Sequence, residues 1–345
     1  MFKKRNIKYR LPFKRKIVRI ICYIYIAFFG IFLFLFYGPI DSFKEFWITS
    51  SMTTLNHRYL ATWIYSKKYI NKVLKNNSII EIDEVSDPSK IKFRHYSNSI
   101  YKNKYEKKIL DRKKDDLYKV IDINGKGYHG YLVAIYDPSR ISIATSAYLG
   151  KRGESILTVS KRENAIIAMN AGGFYDPDWN SNGAIPHGTV ISNGKIVSDF
   201  SDAGMGGGFI GFTKDDKFIL GRMSKEKALE KGYRDAVEFG PYLIVNGKRS
   251  FIKGNGGWGI APRTAIGQRE DGIVLFLVIN GRLADSIGAD MVDLTDIMEN
   301  YGAINAANLD GGSSSELVIN NKIINKPVAG GENGLRNMPT FWIVR

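Results

Sequence analysis

The sequence predicts an α+β protein: a β-rich mixed-sheet core with flanking helices, preceded by one N-terminal transmembrane helix. Three observations carry this. Residues 20–37 hold no charged side chain, and with Ile17 and Val18 they form a 21-residue stretch interrupted only by Arg19. At about 1.5 Å per residue it spans roughly 30 Å, one bilayer core. From about residue 119, short apolar runs alternate with turn signals, as strands do: Tyr131–Tyr136, Ala165–Met169, Phe218–Leu220, Tyr242–Val245 and Ile273–Ile279. Against these, two segments stand out as helical, Ser224–Gly232 and Ala289–Tyr301.

The formal charge of the 345-residue chain is +16. Residues 1–19 contain nine basic residues and no Asp or Glu, and subtracting nine leaves +7 for the rest. Basic flanks stay cytoplasmic. This predicts residues 1–16 as a cytoplasmic tail, 17–40 as a single-pass anchor in the cell membrane, and the remainder as extracytoplasmic. A cleaved signal peptide has an apolar region of about 7–15 residues ending in small residues, whereas Phe36-Tyr37-Gly38-Pro39 ends this one. The sole cysteine, Cys22, lies in the span, so the exported part is expected to hold no disulfide, and four His give little basis for a zinc site. Surplus Lys and Arg can mark a nucleic-acid partner. The outside location and the lack of a repeated aromatic–basic motif argue against that, and the remaining +7 is compatible with docking on a phosphate-rich envelope polymer.

Residues 41–118 are expected to form an extracytoplasmic stalk and linker. Phe43, Phe46 and Trp47, then Leu60, Trp63, Ile64, Tyr69 and Ile70, continue an amphipathic helical pattern. Residues 78–118, dense in Lys, Asp, Tyr and Ser, suggest a solvated connection. In residues 119–345, Asn-Gly pairs at 124–125, 193–194, 246–247 and 280–281 suggest antiparallel hairpins, because both residue types tolerate positive φ. The helix at Ala289–Tyr301 turns Val292, Leu294, Ile297, Met298 and Tyr301 inward and ends at Gly302. Residues 303–309 then read as a buried central strand ending at Asp310.

Three segments suggest chemistry. In Asn308–Glu316, Asp310 is an acceptor, Gly311 and Gly312 can turn their amides into an anion-binding concavity, and Ser313, Ser314 and Ser315 add hydroxyls; Asp-Gly-Gly is also an ordinary turn. Asn170–Asp178 repeats the layout: Asn170 at a strand end, Gly172 and Gly173, then Phe174 or Tyr175 to stack on a sugar, and Asp176 as a second carboxylate. Taken on its own, the segment reads first as a β-turn with packed aromatics. In Gly259–Gly267, Arg263 offers a two-point phosphate fork, and Arg336 is a second such cation; either also suits an ion pair. His187 is eligible as an acid or base or as a turn histidine. The Gly204–Gly208 cluster lacks the Gly-Lys-Ser/Thr ending of a nucleotide-binding loop.

Taken in order, NAGGFYDP (170–177), VISNGKIV (190–197), APRTAIGQ (261–268), INGR (279–282), NLDGGSSSELVI (308–319) and GLRNMP (334–339) resemble the phosphodiester glycosidase family. The resemblance covers roughly residues 119–345. It implies cleavage of a sugar-1-phosphate diester at the anomeric carbon–oxygen bond. It carries family positions onto Asn170, Gly172, Gly173 and Phe174, onto Arg263 and Thr264, onto Asp310, Gly311, Gly312 and Ser314, and onto Arg336. The chain departs from the family pattern at Ser313 in place of a third glycine, at Glu316 in place of Thr or Ala, and at Leu335-Arg336-Asn337 in place of Glu-Arg-Pro.

A phosphate monoester is a good leaving group, so charge placement matters more than acid assistance. Asp310 is expected to attack or stabilise an oxocarbenium-like centre, with Asn170 and Arg263 completing the catalytic group. Arg263, Arg336 and the Gly311 and Gly312 amides are expected to hold the phosphate, and Asp176, Glu316 and His187 are each eligible as the second acid or base. No cofactor is expected. No spaced carboxylate array demands a metal, although a divalent cation could assist at Asp310. The rival reading is a non-catalytic envelope protein that binds phosphorylated glycans in exopolysaccharide or wall-polymer assembly. The sequence leaves the oligomeric state open.

Overall fold

In the computed structural model, which describes residues 13–53, 57–93, 101–175, 182–200, 207–329 and 334–345, three antiparallel sheets share one apolar core. The largest runs β12 (Lys248–Arg249), β11 (Tyr242–Val245), β16 (Ala303–Asn308), β14 (Arg263–Arg269), β15 (Val274–Ile279), β3 (Tyr128–Ile135), β2 (Tyr118–Gly125). The second runs β18 (Lys322–Ile323), β17 (Leu317–Ile319), β5 (Ile167–Asn170), β19 (Thr340–Val344), β4 (Ile141–Thr145). The third runs β7 (Lys195–Phe200), β6 (Gly188–Ser192), β10 (Tyr233–Phe239), β8 (Gly208–Thr213), β9 (Phe218–Gly221). A two-stranded ribbon pairs β1 (Ser78–Ile80) with β13 (Phe251–Lys253).

Two-residue alternation sorts the strands between layers. Ile266 of β14 and Ala307 of β16 join the shared core with Met169, Phe212, Val237 and Trp342. Their neighbours Ala265 and Ala306 face the opposite side, where α5 (Lys104–Leu110) and α8 (Met291–Asn300) bring Ile109, Leu294 and Met298. The bare Gly267 of β14 lets α8 approach: a Cβ there would stand 2.7 Å from Met298 Cε. Ile156 and Val159 of α6 (Ile156–Arg162) cover the second sheet, and Ala228 of α7 (Lys225–Glu230) covers the third.

Of the Asn-Gly pairs at 124–125, 193–194, 246–247 and 280–281, two make the expected turn. Asn193-Gly194 and Asn246-Gly247 are two-residue hairpin turns with φ of 51° and 72°, and 55° and 79°. At 124–125 the strand continues through Gly125, and the turn is made by Lys126-Gly127. Asn280-Gly281 makes no hairpin. Asn280 is buried, bridging His129 Nδ1 at 2.9 Å and the Lys326 amide at 2.8 Å, and thereby locks the end of β15. Asn320-Asn321 supplies a further hairpin turn without glycine, at φ 50° and 61°. The α8 helix has Asp290 as N-cap with a reciprocal bond to Asp293, and Gly302 follows at φ +83°.

Helix α1 (Phe13–Tyr37) contains one segment, Arg15–Tyr37, long and apolar enough to cross a membrane. Helices α2 (Asp41–Thr53), α3 (Tyr59–Thr62) and α4 (Lys67–Asn76) follow and pack around Phe36, Ile48, Tyr65 and Ile70. Residues 78–93, expected as a solvated connection, are instead strapped across two sheet edges. Glu81 accepts from the Tyr242 amide at 2.7 Å and from Arg222 at 2.6 Å. Ser86 exchanges bonds with Leu220 at 2.8 and 2.9 Å, the Asp87 amide donates to Asn246 Oδ1 at 2.7 Å, and Ile91 is fully buried. Low periodicity hid the strap because its bonds run through isolated side chains and edge amides. Ile91→Ala should cost about 2–5 kcal/mol, read as a lowered denaturant midpoint, and a fragment beginning at residue 119 should melt below one beginning at 78.

Candidate active site

The ends of β5, β14 and β16 converge on one buried amide. Asn170, the last residue of β5, donates from Nδ2 to the Asp310 carbonyl at 2.6 Å, and its Oδ1 accepts from Thr264 Oγ1 at 2.8 Å and from the Glu316 amide at 3.2 Å. Backbone bonds from Asp310 to Ala171 at 3.1 Å and from Leu309 to Thr264 at 2.9 Å close the same junction. Asp310 therefore emerges half-buried from a fixed strand end, as its sequence position predicts.

The following glycines do a different job from the one expected. The Gly311 amide donates to Asp310 Oδ1 at 3.0 Å, orienting the carboxylate, and the Gly312 amide donates to the Pro262 carbonyl at 2.9 Å. Both donors are engaged inside the protein. Gly312 sits at φ +63°, and a Cβ there would stand 3.3 Å from Arg282 Nη2. Its bareness makes room for a guanidinium.

Three arginines surround this turn. Arg263 is buried, and its guanidinium donates to the carbonyls of Ala289 at 3.1 Å, Trp258 at 2.5 Å and Gly259 at 2.6 Å. Burial pushes its pKa down to about 10, so it stays charged at neutral pH, and it is committed to holding loops. Arg336 donates from Nη1 to Ser313 Oγ at 2.8 Å and lies 4.6 Å over the Phe174 ring. Arg282, at φ +58°, makes no side-chain hydrogen bond or ion pair among the described residues. Desolvation and the like charge of Arg336 lower its pKa, which places the two cations within electrostatic reach of each other. Arg282 escaped notice because Asn-Gly-Arg after a strand reads as a hairpin; the departure from that hairpin is what aims it here.

Glu316 is fully buried, with Oε1 accepting from the Arg336 amide at 2.7 Å and Oε2 without a partner among the described residues. Desolvation drives its pKa up to about 8, against the smaller opposing effect of Arg336, so it is a neutral acid at pH 7. His187 donates its amide to the Gly173 carbonyl at 2.9 Å, its Nδ1 is buried without a partner among the described residues, and burial lowers its pKa. A Cβ at Gly173 would meet Phe239 Cε2 at 2.8 Å and His187 Cδ2 at 3.2 Å, and one at Gly172 would meet Val237 at 3.3 Å. Phe174 is buried beneath Arg336, which removes it as a sugar platform, whereas Tyr175 is exposed and packs against Phe200 with centroids 5.9 Å apart. Ser314 is buried, and its hydroxyl has no partner among the described residues. Asp176 lies outside the described residues.

Residues 163–345, more than half of the chain, match the sequence pattern of the phosphodiester glycosidase family. The chain belongs to that family. Relatives of this phosphodiester glycosidase domain include the uncharacterized SPβ prophage-derived protein YomE of Bacillus subtilis strain 168, 32% identical over 199 residues, or 55% of this chain and 30% of YomE. The N-acetylglucosamine-1-phosphodiester α-N-acetylglucosaminidase of Mus musculus is 24% identical over 230 residues, 60% of this chain and 43% of the mouse protein. The chain thus matches less than half the length of either relative. The zebrafish catalytic domain of the same enzyme, solved auto-inhibited by its pro-peptide, superposes with a TM-score of 0.54 at 20% identity, over 68% of this chain and 85% of that one. It shares the fold.

The raised Glu316 pKa has a stability consequence for the glycosidase domain. Between the ordinary value of 4.5 and about 8, the unfolded chain binds fewer protons at this position than the folded one. Stability therefore declines as pH rises through that window and levels off above it. Glu316→Gln should flatten the decline, measured as denaturant midpoints across the same pH range.

Proposed function

We propose that this chain hydrolyses a glycosyl-1-phosphodiester in a cell-envelope or exopolysaccharide glycan while anchored by α1 with its N-terminus in the cytoplasm. The observation that carries the reading is the turn after β16, where the Asp310 carboxylate is oriented by the Gly311 amide beside a two-cation cluster, Arg282 and Arg336. The bond between the anomeric carbon and the phosphate oxygen breaks, the electron pair leaves with the phosphate monoester, and water supplies the new oxygen on the sugar. Asp310 attacks or stabilises the electron-poor carbon. Arg282 and Arg336 receive the charge that develops on the phosphate, and Glu316, being neutral, adds no negative charge beside them. Arg263 is a positioning residue behind the site.

Turnover of a synthetic N-acetylglucosamine-1-phosphodiester by the full chain tests this reading. Asp310→Ala should abolish product, and Arg282→Ala or Arg336→Ala should lower kcat/KM by about 10²-fold with little change in thermal midpoint. Arg263→Ala should lower the midpoint itself. Full activity in Asp310→Ala would overturn the assignment, and saturable binding of phosphorylated glycans without product would favour a carrier role in polymer assembly.

A further inference from the structure

The C-terminal end of α1 is built into the small helical unit that follows it. Tyr65 Oη donates to the Phe36 carbonyl at 2.9 Å, Tyr37 Oη donates to the Ile64 carbonyl at 3.2 Å, and Lys44 Nζ caps the Gly38 carbonyl at 3.0 Å. The Phe36 ring meets Phe43 and Trp47 edge-on, with centroids 5.2 and 4.8 Å away. Because these bonds fix α2–α4 to the last turn of α1, the unit cannot move far from the surface at which α1 ends.

Two further features of the unit suit such a surface. Trp63 is 81% exposed and Tyr59 42% exposed, and their rings lie 4.9 Å apart next to Ile64, the residue that Tyr37 contacts. Neighbouring, unburied Trp and Tyr are the side chains that settle at a lipid–water boundary, apolar body inward and polar edge in the headgroups. Residues 57–77 also carry Arg58, Lys67, Lys68, Lys72 and Lys75 and no acidic residue. All five are exposed, and Lys68, Lys72 and Lys75 recur at the i, i+4, i+7 spacing of one helix face, away from buried Ile70 and Val73.

We propose that α2–α4 forms a platform lying on the anionic phospholipid headgroups of the outer leaflet, with the Tyr59–Trp63 pair at the acyl boundary and the α4 lysines on lipid phosphates. The proposal rests on α1 being the anchor. Full-length protein is reconstituted into vesicles with brominated acyl chains, made of phosphatidylcholine alone or mixed with phosphatidylglycerol, and tryptophan emission is recorded. Wild type should lose a larger share of its emission than Trp63→Phe. The difference should grow with phosphatidylglycerol and shrink in high salt or in the triple variant Lys68→Ala, Lys72→Ala, Lys75→Ala. Equal quenching of wild type and Trp63→Phe, with protein retained after an alkaline wash, would overturn the platform and leave the anchor standing. Release by the wash would remove the anchor and the platform with it. Loss of the quenching difference on adding soluble polyphosphate would assign the lysines to a polymer and overturn the lipid assignment.

Discussion

The site depends on the Asn170 side chain. A carboxamide buried at a strand end must find partners for both its nitrogen and its oxygen or cost about 1–3 kcal/mol for each one left bare. Here the oxygen takes Thr264 Oγ1 and the Glu316 amide, and the nitrogen takes the Asp310 carbonyl. Those three bonds couple strands from two different sheets, β5 on one side and β14 with β16 on the other. Aspartate at this position would offer no N–H to the Asp310 carbonyl, and alanine would orphan the Glu316 amide. The carboxylate, the neutral acid and the strand ends that carry them are therefore set by one residue with no part in the proposed chemistry.

Charge around this junction is arranged in two tiers. Behind it, Arg263 has carbonyl partners, whose dipoles spread a buried charge without creating a neutral ion pair that would cost two desolvations. One of those carbonyls, Ala289, directly precedes the Asp290 cap of α8, so the buried cation also ties the helix to the sheet. In front, Arg282 and Arg336 carry like charges within electrostatic reach of each other. The burial that raises the Glu316 pKa limits the negative charge beside them.

Much of the fold was legible because its determinants are local. Apolar runs located β3, β5, β9, β11 and β15, Asp310 was found at the end of β16, and positive-φ residues marked the turns at 193–194 and 246–247. What escaped was set by tertiary partners. Asn280 has the same local propensity as Asn193, and only its burial against His129 and Lys326 turns a hairpin signal into a strap that aims Arg282. Likewise, the types of Arg263, Gly311 and Gly312 announced anion binding. Their donors were already committed to carbonyls and to Asp310, which no residue pattern reports. Phe174 was legible as an aromatic near the site but not as the floor under a cation.

The segment that looked like a stalk is joined to the site by a short chain of contacts. The Ile260 amide donates to Ser50 Oγ at 3.3 Å, Asn255 Nδ2 donates to Thr49 Oγ1 at 2.8 Å, and a Cβ at Gly259 would stand 2.6 Å from Ser50 Cα. Helix α2 thus presses on the 254–260 loop from outside, while Arg263 holds the Trp258 and Gly259 carbonyls of the same loop from inside. Trp258 in turn meets Phe239, the ring that crowds Gly173. A rigid-body shift of α2–α4 would reach the glycine loop after β5 through two aromatic rings and one guanidinium. Helices α2–α4, which follow the long apolar helix α1, are consequently part of what holds the strand ends around Asp310 in shape.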